Sequence, residues 1–215
     1  MKNIFLIPLT AILVFTLFEY LYPLKLLVVF FHESSHALTT WATGGTVTEF
    51  VIHLDQSGYV MSAGGNRFLA LSSGYIGSLI WGLSILYASI KMDNHNYILS
   101  LLATVIVGLA FVFSADVVTL VFSLIMGAMM ILTARFASLM VSGIILKVIG
   151  ITSMIYVPYD IWMDTILNST ARSDAFMLAE EVGGTAEMWG MVWILISVVL
   201  ILYSTITLVK VDNQR

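Results

Sequence analysis

Leu24-Lys-Leu-Leu-Val-Val-Phe-Phe-His-Glu-Ser-Ser-His-Ala-Leu38 starts as an apolar run and then places His32, Glu33 and His36 where ionisable groups are costly. His32 lies about 12 Å along a helix axis that begins at Leu24. A charged side chain at membrane depth costs roughly 2.5–3.5 kcal/mol unless something compensates it. On a helix, residues four apart share a face, so the two imidazoles can converge on one cation, with Glu33 beside them. The pattern therefore predicts a metal-binding helix inside an apolar environment.

Composition supports that environment. Of 215 residues, 60% are hydrophobic and only 10% charged, and the mean hydropathy is +0.99. Soluble domains are about 45–50% apolar. The apolar stretches are continuous rather than alternating, which points away from a β-barrel. The expected class is an all-α polytopic membrane protein in a single membrane-embedded domain over 1–215. A net charge of −4 without a basic patch argues against a nucleic-acid partner. Cysteine is absent, leaving His, Asp and Glu as ligands and excluding thiolate zinc sites.

Apolar runs long enough to cross about 30 Å of hydrocarbon fall at 4–21, 24–43, 67–91, 97–113, 116–134, 136–158 and 188–209, so six or seven spans are expected. The first follows Met1-Lys-Asn without a small-residue cleavage site and reads as a retained span. Pro23 marks either a turn or a kink between the first two. Between the second and third spans, β-branched and aromatic residues at 46–54 and 59–63 flank Asp55-Gln-Ser-Gly58, which predicts a β-hairpin. Gly74, Ser78 and Gly82 form a small-residue stripe suited to close helix packing. Trp189 and Trp193 suit an interfacial belt, and Lys25 and Lys147 can snorkel.

Two histidines leave zinc short of ligands, since a catalytic site takes three protein donors and keeps one position open. His53 and His95 fall in polar stretches read as loops, so a distal carboxylate is the natural third donor. Asp160 leads: it follows Tyr156-Val-Pro-Tyr159, where Pro158 interrupts the hydrogen-bond ladder at the end of a span. Asp174 is the alternative, although after Ser173 it could instead cap a helix, and Asp164 comes third.

Phe31-His-Glu-Ser-Ser-His-Ala-Leu38, Gly44-Gly45, Ser73-Gly-Tyr-Ile-Gly-Ser78, Tyr159-Asp-Ile-Trp-Met-Asp164, Ser173-Asp-Ala175 and Trp189-Gly-Met-Val-Trp193 occur in one order. This set resembles the site-2 protease superfamily of intramembrane zinc metalloproteases, and is most like its small branch without accessory domains. The resemblance covers about residues 20–195, with a protease core at about 24–195. It implies Zn2+ held by His32, His36 and a distal aspartate, Glu33 as general base, and a transmembrane protein or peptide substrate taken from the lipid bilayer. Better-studied members set the aspartate in an Asn-Pro-Asp-Gly-like context, whereas this chain has Pro158-Tyr-Asp160. Location in the cell membrane is the matching expectation. Alternative readings are a non-catalytic, site-2-protease-like metal-binding scaffold and, less favoured, a metal transporter, for which no further ligands are spaced along a path.

Overall fold

The computed structural model describes residues 20–212, with side-chain surroundings through Leu208. The element order is α1 (Tyr22–Ala42), β1 (Thr46–Ile52), β2 (Gly58–Ala63), α2 (Arg67–Lys91), α3 (His95–Phe113), α4 (Val117–Phe136), α5 (Leu139–Trp162), α6 (Asp174–Val182) and α7 (Ala186–Asp212). The chain is an α-helical polytopic membrane protein with one small antiparallel hairpin. Helix starts follow capping chemistry. Asn66, Asn94, Asp116, Ser138 and Ser173 each accept a backbone N–H with the side chain, satisfying a donor that has no partner within the helix. Pro23 sits in the first turn of α1, where its missing N–H costs nothing, so it starts that helix rather than kinking it.

Five described helices, α2, α3, α4, α5 with its continuation to Leu167, and α7, are long and apolar enough to cross a membrane. Six or seven were expected, and the difference has two sources. The expected span at 4–21 falls almost wholly outside the described residues. The helix over 24–43 exists as α1, but the polar stretch from His32 to His36 makes it less apolar than the five. It is sheathed by protein instead: Leu26 through Phe31 are all buried, as are Glu33, Ser34, Ser35, His36 and Ala37. A helix buried on nearly every side does not need a lipid-compatible face. By contrast α4 and α7 show lipid-facing Val121, Leu124, Ile125, Leu195, Val199 and Leu202.

The span expected at 136–158 also differs from expectation. Pro158 lies inside α5, which runs through it to Trp162. It then widens into a turn over Met163–Leu167, in which the Asn168 N–H reaches back to the Met163 carbonyl. Helices that cross membranes tolerate such a proline when neighbouring elements satisfy the freed backbone.

α2 and α5 pack against each other at the small-residue stripe. A Cβ on Gly150 would lie 2.8 Å from the Gly82 carbonyl oxygen, too close for a real side chain. The stripe is shared between partners, however, because Gly74 faces α1.

The hairpin is firmly seated. Thr46 pairs with Ala63 and Ile52 with Gly58, with a bulge between Val47 and Glu49. Phe50 is fully buried and meets Phe30 of α1 edge-on at 5.5 Å. The Ser114 hydroxyl donates to the Phe50 carbonyl at 2.6 Å, and the Ile52 N–H donates to Thr119 Oγ1 at 2.9 Å. The α3–α4 connection therefore covers the outer side of β1. Among the described residues no strand pairs with the outer edge of β2.

Three smaller expectations change. Trp193 is buried against Tyr75 at 5.3 Å between ring centroids, and so belongs to the core rather than to an interfacial belt. Lys25 and Lys147 are also buried. His95 is not in a loop: it opens α3, and its ring nitrogens lie 2.9 Å from the Leu139 and Ser89 carbonyls, linking α2 and α5.

Candidate metal centre

His32 and His36 lie one turn apart on α1, with ring centroids 4.7 Å apart and planes at 73°. A single carboxylate oxygen faces both. Asp174 Oδ2 is 2.9 Å from His32 Nε2 and 3.0 Å from His36 Nε2. Donor atoms of the three residues all lie within 4.8 Å of one another. Asp174 is therefore the carboxylate that meets the histidine pair.

Local chemistry explains why it is Asp174. It occupies the first position of α6, and Ser173 performs the capping, accepting the Phe176 N–H at 3.3 Å. This leaves the Asp174 side chain free to turn inward. Burial by itself would raise the Asp174 carboxyl. The His36 and His32 imidazoles outweigh that and hold it below the usual carboxylate range.

Asp160, the leading expectation for third donor, and Asp164 line the same cavity but do not join the cluster. Tyrosines engage both. The Tyr156 hydroxyl bonds Asp160, and the Tyr75 hydroxyl donates to Asp164 Oδ2 at 2.7 Å. Glu33 is only 5% exposed and lines the cavity beside the strand β2. A Cβ on Gly58 would lie 2.9 Å from Glu33 Cγ and Oε1, so the hairpin needs glycine there to accommodate the carboxylate.

Hydrogen bonding tests whether the donors suit a cation. His36 Nδ1 lies 2.7 Å from the Ala70 carbonyl oxygen. That oxygen only accepts, so Nδ1 carries a proton and Nε2 is the nitrogen turned to Asp174. At 3.0 Å the Nε2–Oδ2 approach calls for a positive centre, which a proton on Nε2 or a bound cation supplies. Tetrahedral zinc, with bonds of about 2.0–2.2 Å, separates its ligands by about 3.3–3.5 Å, a few tenths of an ångström more than the spacing here. Two imidazoles and one carboxylate with an outer carbonyl fixing a tautomer are the donor set and support that zinc uses. The residues fit the ion.

Gly74 supplies the floor of this cluster. A Cβ there would lie 2.5 Å from His36 Nε2 and closer still to His32 Nε2. Gly74→Ala is expected to abolish metal uptake while sparing most helical structure. Metal content and circular dichroism on the same purified sample check this, and normal metal content would show that the floor can yield.

Sequence reading did not single out Tyr75, Arg67, or Ala70 with its carbonyl. Tyr75 carried a faint signal, as a lone tyrosine among the small residues Ser73, Gly74, Gly77 and Ser78. Arg67 Nε pairs with Glu181 Oε2 at 2.6 Å, tying α6 to the start of α2. That pair is half exposed and adds little stability.

Comparison with known proteins agrees with this architecture. The family model described as Peptidase M50B-like matches residues 5–204. No curated protein and no solved structure matches the chain. Five apolar helices, a buried histidine pair met by one aspartate, and a match over nearly the whole length lead to one assignment. The chain belongs to the Peptidase M50B-like family, a site-2 protease family, and is an integral multi-pass membrane protein.

Proposed function

We propose that this protein is an intramembrane zinc metalloprotease that hydrolyses peptide bonds of membrane-embedded substrates in the cell membrane. The observation that carries the reading is the convergence of His32 Nε2, His36 Nε2 and Asp174 Oδ2 in the wall of a cavity that Glu33 also lines.

His32, His36 and Asp174 would hold the ion. When bound there, zinc supplies Lewis acidity, polarising a carbonyl and making water acidic near neutral pH. The chain's own groups do the rest. Glu33 takes a proton from the attacking water at its carboxylate and returns it to the leaving amine nitrogen. The Ala70 carbonyl keeps the His36 lone pair on Nε2. The helices around α1 cover most of the donors' surface.

A helical substrate hides its amides in internal hydrogen bonds and must unwind before it is cut. The cavity, of about 610 Å³, has residues 56–62 along one side and Ser173, Asp174 and Met177 along the other. An extended segment added to the open edge of β2 would pass beside Glu33, with main-chain bonds giving affinity. The firm seating of β1 on the α3–α4 connection suits the hairpin to such a template.

Zinc removal tests the reading. Purified protein in nanodiscs is expected to cut a reconstituted transmembrane substrate, to stop after chelation, and to recover when zinc is returned. Cleavage that persists in zinc-free protein would sink the proposal.

A further inference from the structure

Tyr75 and Asp164 border the three-donor cluster, and the mechanism above leaves both unused. Tyr75 is buried on α2, one residue beyond Gly74. Its ring meets His32 edge-on, at 4.6 Å between centroids with planes 82° apart. Trp193 of α7 lies against the same ring. The Tyr75 hydroxyl donates to Asp164 Oδ2 at 2.7 Å. Asp164 comes from the wide turn that ends α5. That turn is wedged against α7, where a Cβ on Gly190 would strike the Thr165 side chain.

The two histidines are held differently. His36 has its Nδ1 bond to Ala70. His32 has no such bond from Nδ1 among the described residues, and its Nε2 is committed to Asp174. Rotation about an imidazole's ring bond is soft, so an outside contact must set the plane. Tyr75 makes that contact, and Asp164 fixes Tyr75.

We propose that Tyr75 and Asp164 are a positioning pair that sets the rotation of the His32 ring and so aims Nε2 at the bound ion. The role rests on the metalloprotease reading given above. It is a positioning role rather than a catalytic one, because the hydroxyl hydrogen of Tyr75 is engaged by Asp164 and faces no reacting atom.

Zinc affinity of the full-length protein in nanodiscs, measured by competition with a chelator, tests the pair directly. Tyr75→Phe keeps the ring and loses the hydroxyl; Asp164→Asn keeps the shape and loses the charge. Each is expected to raise the zinc Kd roughly 10–100-fold, the usual cost of losing an outer support. The double variant is expected to be no weaker than the worse single variant, since all three cut one link. An unchanged Kd in both singles, or losses that add in the double, overturns the pair even if the zinc-free protein melts lower, since that pattern marks a purely structural contact. Wild-type protein that takes up no zinc overturns the proposed function and the pair with it. Wild type that binds zinc while the variants bind it equally well overturns the pair alone.

Discussion

Glu33→Gln is expected to lower cleavage of a transmembrane substrate by about 10²–10⁴-fold, the usual worth of a positioned proton-transfer group, while zinc content stays at the wild-type level. Glutamine has nearly the same volume, so the fit against Gly58 survives and the buried side chain needs no repacking. It loses the ability to take a proton. Glu33 is not among the three donors that converge, so the ion has no reason to leave. Rates and metal content should be read on one preparation. Loss of zinc together with activity would make Glu33 a ligand, and unchanged cleavage would remove it from the chemistry.

Asp174→Asn is expected to weaken zinc binding by more than about 100-fold, exceeding the roughly 10–100-fold cost of losing an outer support. The substitution removes the one carboxylate that, among the described residues, meets the histidine pair, and leaves two neutral imidazoles and an amide. Asp160→Asn is the informative partner, because that carboxylate lines the same cavity but stands with Tyr156. It should hold zinc within a few-fold of wild type. Chelator competition on the two variants gives the comparison, and the reverse ranking would transfer the third donor to Asp160.

Much of this architecture was legible locally. The helices at 67–91 and 97–113 follow from apolar runs that end where Asn66 and Asn94 can cap. The hairpin follows from β-branched runs around Asp55-Gln-Ser-Gly58. These are short-range effects, in which a side chain acts on its own backbone within a few residues. The helix over 24–43 was also legible, but whether it faces lipid was not. Its polar turn is tolerated because α2, α5, the hairpin and Asp174 of α6 pack around it, which no window along the chain reports.

The third donor illustrates the same limit. Asp160, Asp164 and Asp174 are equivalent as residue types, and each stands at or near a helix end. What separates them is who else reaches them: Tyr156 and Tyr75 take the first two, while Ser173 caps α6 and releases the third. Tyr75 comes from 89 residues before Asp164 along the chain.

His32-Glu-Ser-Ser-His36 by itself determined that a candidate cation site and a nearby carboxylate lie within an apolar setting, because helical spacing and the cost of uncompensated ionisable groups depend only on neighbours in sequence. Tertiary structure alone decided that Asp174 completes the cluster, that Gly74 clears its floor, and that Gly58 of β2 lies against Glu33. Those outcomes depend on distances between elements far apart in the chain, which the packing of α1 against α2, the hairpin and α6 sets.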